Sequence, residues 1–269
     1  MNTQDGSDPD RAAVGSETPP SSLEHAGPFL SDCSLTARIE PFDSFWQAPE
    51  DIEKGYRTFG VFYEHNYLPH LPSDRSVRIL VISCGPGYLL NLLRAKGFQN
   101  VIGIDSAPEK VEYAIRRGHD ARVARVFQFL RQHPAHFDVI IGEQEINHLT
   151  KPEILAFLEA CRRCLLDSGM LIIHSINGAD PLTGSESRAG NFDHYNSFTE
   201  YSLKQVLEYS GFRNVVVVPL NLYVFYGNPF NYVAILYDKM KWLLFHLNYR
   251  LVGKHTRIYT KKIAGVCVK

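Results

Sequence analysis

Between residues 78 and 175, short apolar runs alternate with amphipathic stretches of helical period. That alternation restricts the chain to a parallel sheet covered by helices on both faces. The sharpest unit is Arg78 to Leu93, RILVISCGPGYLLNLL, which reads as a buried strand, a tight glycine turn and a Leu-rich helix. Strands are expected at Ile79–Cys84, Val101–Ile104, Ala121–Val126, Phe137–Ile141 and Met170–His174. Two capping boxes mark helix starts, Ser106-Ala-Pro-Glu109 and Thr150-Lys-Pro-Glu153. After the second, Ile154, Leu158, Cys161 and Leu165 recur at spacings of three and four, with Gly169 as the expected stop. A further helix opens at Ser197 or Thr199, turns Leu203, Val206 and Leu207 inward and ends at Gly211. Val215–Val218 and Arg257–Lys269 complete seven expected strands.

The rest of the chain is arranged around that unit. The first thirty residues are rich in Gly, Ser, Pro and Asp without apolar periodicity, and are expected to form a disordered tail. Residues 31–74 form an expected helical cap, in which Ile52, Tyr56, Phe59, Tyr63 and Tyr67 keep near-helical spacing over 49–68. That aromatic face either packs on the domain or covers its ligand cleft. Residues 75–269 make the main domain, with an insertion at 220–256. A formal net charge of −1 gives no electrostatic reason to expect a nucleic-acid partner. The first residues contain no apolar core of a signal peptide, so a cytoplasmic location is expected. Cys33, Cys84, Cys161, Cys164 and Cys267 read as free thiols of that compartment. Cys161-Arg-Arg-Cys164 sits inside an amphipathic helix with no second pair nearby, so it reads as packing, and no metal site is expected.

The glycine turn calls for a ligand. Gly85 and Gly87 lack Cβ atoms, so the backbone there can approach a ligand closely, and the following helix offers unpaired N–H groups. Asp105 ends the second strand twenty residues after Gly85, where a carboxylate can accept hydrogen bonds from both hydroxyls of a ribose. A nicotinamide site needs a third glycine where Leu90 stands, and a P-loop needs Gly-Lys-Ser/Thr. A nucleoside with a tail smaller than a pyrophosphate fits better.

On these residues the chain resembles the class I S-adenosylmethionine-dependent methyltransferases, over roughly 75–220 with a closing strand at 257–268. Ile79 to Gly87 match the family's first motif and VIGIDSAPEKVEYA (101–114) its second. FDVIIGEQEINHL (137–149), GMLIIHSING (169–178) and FTEYSLKQVLEYSGF (198–212) look like later strands and helices of that fold. The resemblance implies a doubly wound seven-stranded Rossmann-like sheet with helices on both faces, a helical insertion before the last strand, and that strand antiparallel beside the fifth. It implies S-adenosylmethionine as cofactor, held by Ser83, Cys84, Gly85, Gly87, Asp105, Ser106 and Glu143. Val81 stands where the first motif has an acid and Ser83 where it has a glycine, while Arg125 falls near the usual adenine-binding acid. Glu143 or Glu145, at the mouth of the fourth strand, is available to replace the missing acid. The arrangement of ISCGPG, EQEINHLT and IYTKKIAGV also resembles a bacterial group met among proteins that build surface polysaccharides.

Methyl transfer from a sulfonium is an in-line displacement that depends on positioning, and a hydroxyl acceptor gains from a general base. Three histidines lie at or beyond strand ends: His148, His174 and His194. His148 occupies the place of a histidine found in small-molecule members of the family and is the first candidate. His194, in the loop that approaches the acceptor, is the second. In the insertion, Asn228-Pro229 is a helix start and Gly253 a stop, and Lys239, His246 and Arg250 share one helical face. No acidic residue follows Asp238. Residues 229–252 therefore either make peripheral contact with the inner face of an anionic membrane or dock on the substrate side of the sheet. The expected function is methyl transfer to a hydroxyl of a sugar, a lipid-linked glycan or another polar small molecule. The alternative is a noncatalytic S-adenosylmethionine-binding module acting as partner or sensor, for which the missing acid at Val81 argues. A nicotinamide-dependent oxidoreductase is disfavoured by Leu90.

Overall fold

A computed structural model describes residues 49–221 and 229–269; the expected tail, Cys33, the cap residues before Pro49 and the Asn228 helix cap lie outside the described residues. Seven strands form one sheet: β1 (Arg78–Ile82), β2 (Asn100–Asp105), β3 (Asp120–Val123), β4 (Phe137–Gly142), β5 (Leu165–Ile176), β6 (Arg213–Leu220) and β7 (Lys262–Val268). Their spatial order is β3-β2-β1-β4-β5-β7-β6. β1 to β5 pair in parallel, and β7 lies antiparallel between β5 and β6. Strand order reverses between β1 and β4, so the crevice beyond their carboxyl ends is where this architecture takes ligands.

Alternation along β1 builds two cores. Ile79 and Val81 pack with α1 (Pro49–Asn66), α2 (Tyr88–Ala95) and α3 (Pro108–Arg116). Leu80 and Ile82 pack with α4 (Val126–Gln132), α5 (Lys151–Cys164) and α7 (Glu200–Tyr209). The short α6 (Gly184–Ala189) follows β5, and α8 (Phe230–Leu251) lies between β6 and β7. Leu90 fits because Gly103 of β2 leaves it room: a Cβ on Gly103 would stand 2.6 Å from the Leu90 side chain. Close helix–strand packing is thus achieved with the glycine on the strand.

Several boundaries differ from expectation. The N-cap of α3 is Ala107, not Ser106; Asp105 Oδ1 accepts the Ala107 N–H at 3.0 Å and Pro108 sets the first helical φ. Thr150 does open α5, with the Glu153 carboxylate accepting its N–H at 2.7 Å and its hydroxyl at 2.6 Å. That helix ends at Cys164, well before Gly169, because Leu165 turns extended to pair with Phe137 and bury its side chain. β3 stops at Val123 and Val126 opens α4. Thr199 caps α7, its hydroxyl accepting from Ser202 N at 3.2 Å. β7 begins at Lys262 rather than Arg257, since the Ile258 and Thr260 carbonyls accept from Asn177 Nδ2 instead of joining the ladder. Cys161 and Cys164 are both buried.

α1 packs its aromatic face on the domain. Ile52, Tyr56, Tyr63 and the following Tyr67 are buried in the second core; burying a side chain such as Ile52 contributes about 1.5–3 kcal/mol. The same face reaches the glycine turn. The Tyr56 hydroxyl donates to the Pro86 carbonyl, and the Phe59 ring stacks on Tyr88 with centroids 5.1 Å apart.

Candidate active site

Ser83 to Gly87 leave β1 through a turn of left-handed residues: Ser83 at φ 58°, Gly85 at φ 52° and Gly87 at φ 86°. Ser83 keeps a glycine-like conformation without being glycine, and its Oγ donates to Glu145 Oε2 at 2.5 Å, which helps hold it there. A Cβ on Gly87 would stand 2.8 Å from Ala114 Cβ, so this glycine is required by packing of α2 on α3. A Cβ on Gly85 would meet nothing within 4 Å. Gly85 therefore faces open space, as backbone that admits a ligand must. The Cys84 side chain turns into the core against Gly103, and burial pushes its thiol up, so only its backbone can serve the turn.

Asp105 closes the turn from β2. Its Oδ2 accepts the Gly85 N–H at 2.8 Å while Oδ1 holds Ala107. The carboxylate is thereby fixed between the glycine turn and the start of α3, and an ionised carboxylate retains further acceptor positions for hydroxyls. Ser106 is exposed beside it. Arg125 is exposed at the start of α4.

The missing motif acid has a structural explanation. Val81 is fully buried in the second core, where an acid would lose its solvation. The carboxylates sit instead on the loop after β4. Glu143, whose N–H donates to the Ile82 carbonyl at 3.3 Å, accepts the Tyr63 hydroxyl at 2.7 Å. Burial raises its carboxyl to about 7, against the lowering by the Tyr63 hydrogen bond and by Lys262. Lys262, at the start of β7, is driven the other way by burial, to about 8. Each charge favours the ionised form of the other, but burial outweighs that effect at both groups. Glu145 is committed to Ser83.

The histidines divide. His174 is buried, with Nδ1 2.9 Å from the Tyr67 hydroxyl, and burial together with Lys262 holds it well below the usual imidazole range. Its Nε2 is buried without a hydrogen-bond partner among the described residues. His148 and His194 come together with ring centroids 4.8 Å apart. His148 Nδ1 lies 2.8 Å from Asp193 Oδ2, and its side chain is 28% exposed. A carboxylate only accepts, so Nδ1 carries the hydrogen and Nε2 presents a lone pair. His194 Nδ1 donates likewise to the Ser187 carbonyl at 3.0 Å, and burial, then His148, lowers its pKa.

Asn147 makes that meeting happen. Fully buried, it donates from Nδ2 to Ser175 Oγ at 3.0 Å and to the Asn196 carbonyl at 2.8 Å, and its Oδ1 accepts the Ile176 N–H at 3.1 Å. Its own carbonyl accepts the Tyr195 N–H at 2.8 Å. The β4 loop, the end of β5 and the loop carrying Asp193 and His194 are tied at one residue. Asp193 was missed in the sequence reading; the only signal was its place next to His194. Tyr63 was seen only as part of an aromatic face. Among the described residues no cluster of three or more His, Cys, Asp or Glu is arranged for a metal ion.

A seven-stranded sheet of this order, with a glycine turn and a ribose-spaced acid at its switch point, defines the Rossmann-like methyltransferase class. Residues 56–217 match the family model described as methyltransferase domain, and the chain belongs to that family, whose methyl donor is S-adenosylmethionine. Among curated proteins it is similar to the ubiquinone biosynthesis O-methyltransferase of Xylella fastidiosa strain M23, 28% identical over 146 residues, covering 52% of this chain and 58% of that protein. The protein of the same name from Cereibacter sphaeroides strain KD131 is 30% identical over 106 residues, covering 38% and 42%. The chain thus spans 58% and 42% of the length of these two relatives. Among solved structures, a SAM-dependent methyltransferase from Archaeoglobus fulgidus has TM-score 0.59 at 17% identity, covering 80% of this chain and 94% of that one. Haemonchus contortus phosphoethanolamine N-methyltransferase 2, in complex with phosphomonomethylethanolamine and S-adenosylhomocysteine, has TM-score 0.54 at 14% identity, covering 85% and 60%. At such identities these structures share the fold.

Proposed function

We infer that this protein transfers a methyl group from S-adenosylmethionine to a hydroxyl oxygen, with His148 as the general base that Asp193 orients. The observation that carries the reading is the His148–Asp193 pair at the strand-end edge that also bears the glycine turn and Asp105. A module that only bound the cofactor would not need a partly exposed imidazole aligned by a carboxylate.

The described residues suit the cofactor. Gly85 opens to space, Asp105 offers a fixed carboxylate to a ribose, and Glu143 is the anion available to an ammonium group. Ser83, Cys84 and Gly87 shape the turn, with Ser106 beside it. S-adenosylmethionine, when bound, supplies an electrophilic methyl carbon and leaves as the neutral thioether. His148 Nε2 would take the proton of the accepting hydroxyl, and the Asp193 carboxylate would face the resulting imidazolium. His194, held neutral by burial, walls the acceptor side. Oxygen as the accepting atom is supported by the names of the curated relatives. Those names are of ubiquinone biosynthesis, and they favour a ring hydroxyl of a lipid-like acceptor over the sugar or glycan hydroxyl that the sequence pattern brought to mind.

Calorimetric titration with S-adenosylhomocysteine, then methyl transfer from labelled S-adenosylmethionine to hydroxylated aromatic and glycan acceptors, tests this. Binding with turnover lost in His148→Ala supports the reading. Turnover unaffected by that change, or binding of NAD in preference, overturns it.

A further inference from the structure

α8 leaves much of its apolar surface outside. Phe245 and Tyr249 rest on Tyr259, and Asp238 pairs within the helix with Lys241 at 2.9 Å. Trp242 Nε1 donates to the Arg257 carbonyl at 2.8 Å. Val233, Leu236, Met240, Leu243, Leu247 and Leu251 lie within an arc of about 80° at the helical repeat, and are 53% to 86% exposed. None of the helix's 22 residues is buried. Soluble helices hide such a stripe; this one presents it outward.

We propose that this face of α8 docks the protein on an anionic lipid surface, with the helix lying in the plane of the interface. The apolar arc is bordered by Lys239 and Arg250, and the segment that follows adds Lys254 and Arg257, all exposed. No acidic residue occurs between Asp238 and Lys269, and the Asp238 carboxylate is paired with Lys241. Apolar side chains with a cationic border and tyrosines at the flanks are what an interfacial helix needs. The helix cannot cross instead: no described helix is long and apolar enough to span a membrane.

A second copy fits less well. Two such helices packed face to face would set Lys239 and Arg250 against their like with no outward acid to pair them, whereas anionic headgroups answer both cations. The placement is also consistent with access to the site. The segment from α8 enters β7 at Lys262, opposite Ile176 and Leu220, so the helix is tethered at the sheet edge that carries His148. The docking reading stands on α8 alone and does not depend on the methyl-transfer chemistry.

The test is co-sedimentation of the full chain with vesicles of phosphatidylcholine, with and without phosphatidylglycerol, at low and high salt, alongside sedimentation equilibrium without lipid. Expected is salt-sensitive binding to the anionic vesicles. Lys239→Gln and Arg250→Gln should each weaken it about fivefold, and Leu243→Glu with Leu247→Glu should abolish it. These positions are exposed, so the variants should fold, with circular dichroism and S-adenosylhomocysteine affinity as checks. No binding to either vesicle overturns the proposal, as does equal binding to both. A lipid-independent dimer dispersed by Leu243→Glu, without vesicle binding, would assign the face to a second copy and overturn it also.

Discussion

His148 Nδ1 and Asp193 Oδ2, forty-five residues apart in the chain, stand 2.8 Å from each other. The pair occupies Nδ1 of His148 and leaves Nε2 as the ring nitrogen for the proposed base role. His148→Ala should lower kcat by about 10²–10⁴-fold with S-adenosylhomocysteine affinity unchanged. Asp193→Asn should give a smaller loss, roughly tenfold to a hundredfold, in kcat rather than KM, with recovery in Asp193→Glu. Steady-state kinetics of the three variants check this, and an undiminished kcat in His148→Ala removes the base.

Asp105 joins the glycine turn to the start of α3 through its bonds to Gly85 and Ala107. Asp105→Ala should weaken S-adenosylhomocysteine binding by about tenfold or more, since a charged hydrogen bond contributes about 1.5–3 kcal/mol. It should also lower Tm, because two backbone N–H groups lose their acceptor. Calorimetry on the folded variant decides; unchanged affinity takes Asp105 out of the site.

The two glycines of the turn should separate stability from binding. Gly87→Ala places a Cβ 2.8 Å from Ala114 and should destabilise by more than the roughly 1–2 kcal/mol of left-handed strain alone. Gly85→Ala meets no neighbour and should cost only that strain. Its larger effect should be on cofactor affinity. Denaturant unfolding paired with calorimetry would show the contrast, and equal losses in both assays for both variants would contradict it.

Asn147, adjacent to the proposed base, has a structural role. Asn147→Ala strands the Ile176 N–H and the Asn196 carbonyl in the core, and should cost about 2–4 kcal/mol. Unfolding midpoints of this variant beside His148→Ala would test the division, since the partly exposed imidazole should affect stability much less.

Glu143 sets a pH dependence. With its folded pKa raised to about 7 from 4.5, the folded state keeps a proton that the unfolded chain has lost in that window. Stability should therefore fall as pH rises through it, by about 3 kcal/mol at most. Glu143→Gln should flatten that slope, as unfolding at the two ends of the window would reveal. Lys262, lowered to about 8 from 10.5, works in the opposite sense, adding stability as pH rises through its own window. An ammonium group bound at Glu143 needs the ionised carboxylate, so S-adenosylmethionine affinity should drop below the Glu143 pKa.

The amino-acid sequence alone determined what local chemistry can encode. Apolar runs, capping residues and the Gly85–Gly87 turn marked seven strands and the helices between them, and the spacing placed Asp105 beside that turn. It erred where a tertiary partner competes with a local signal. Gly169 was outbid as a helix stop by the pairing of Leu165 with Phe137, and Ser106 as a cap by the Asp105 carboxylate. Only the tertiary structure decided which histidine meets Asp193, that Asn147 ties the loops which bring them together, and that the Tyr63 hydroxyl meets Glu143. The same holds for the outward turn of the apolar side of α8. Each of these depends on chain segments closing over tens of residues and on which face is left to solvent, and a periodic pattern carries neither the partner nor the direction.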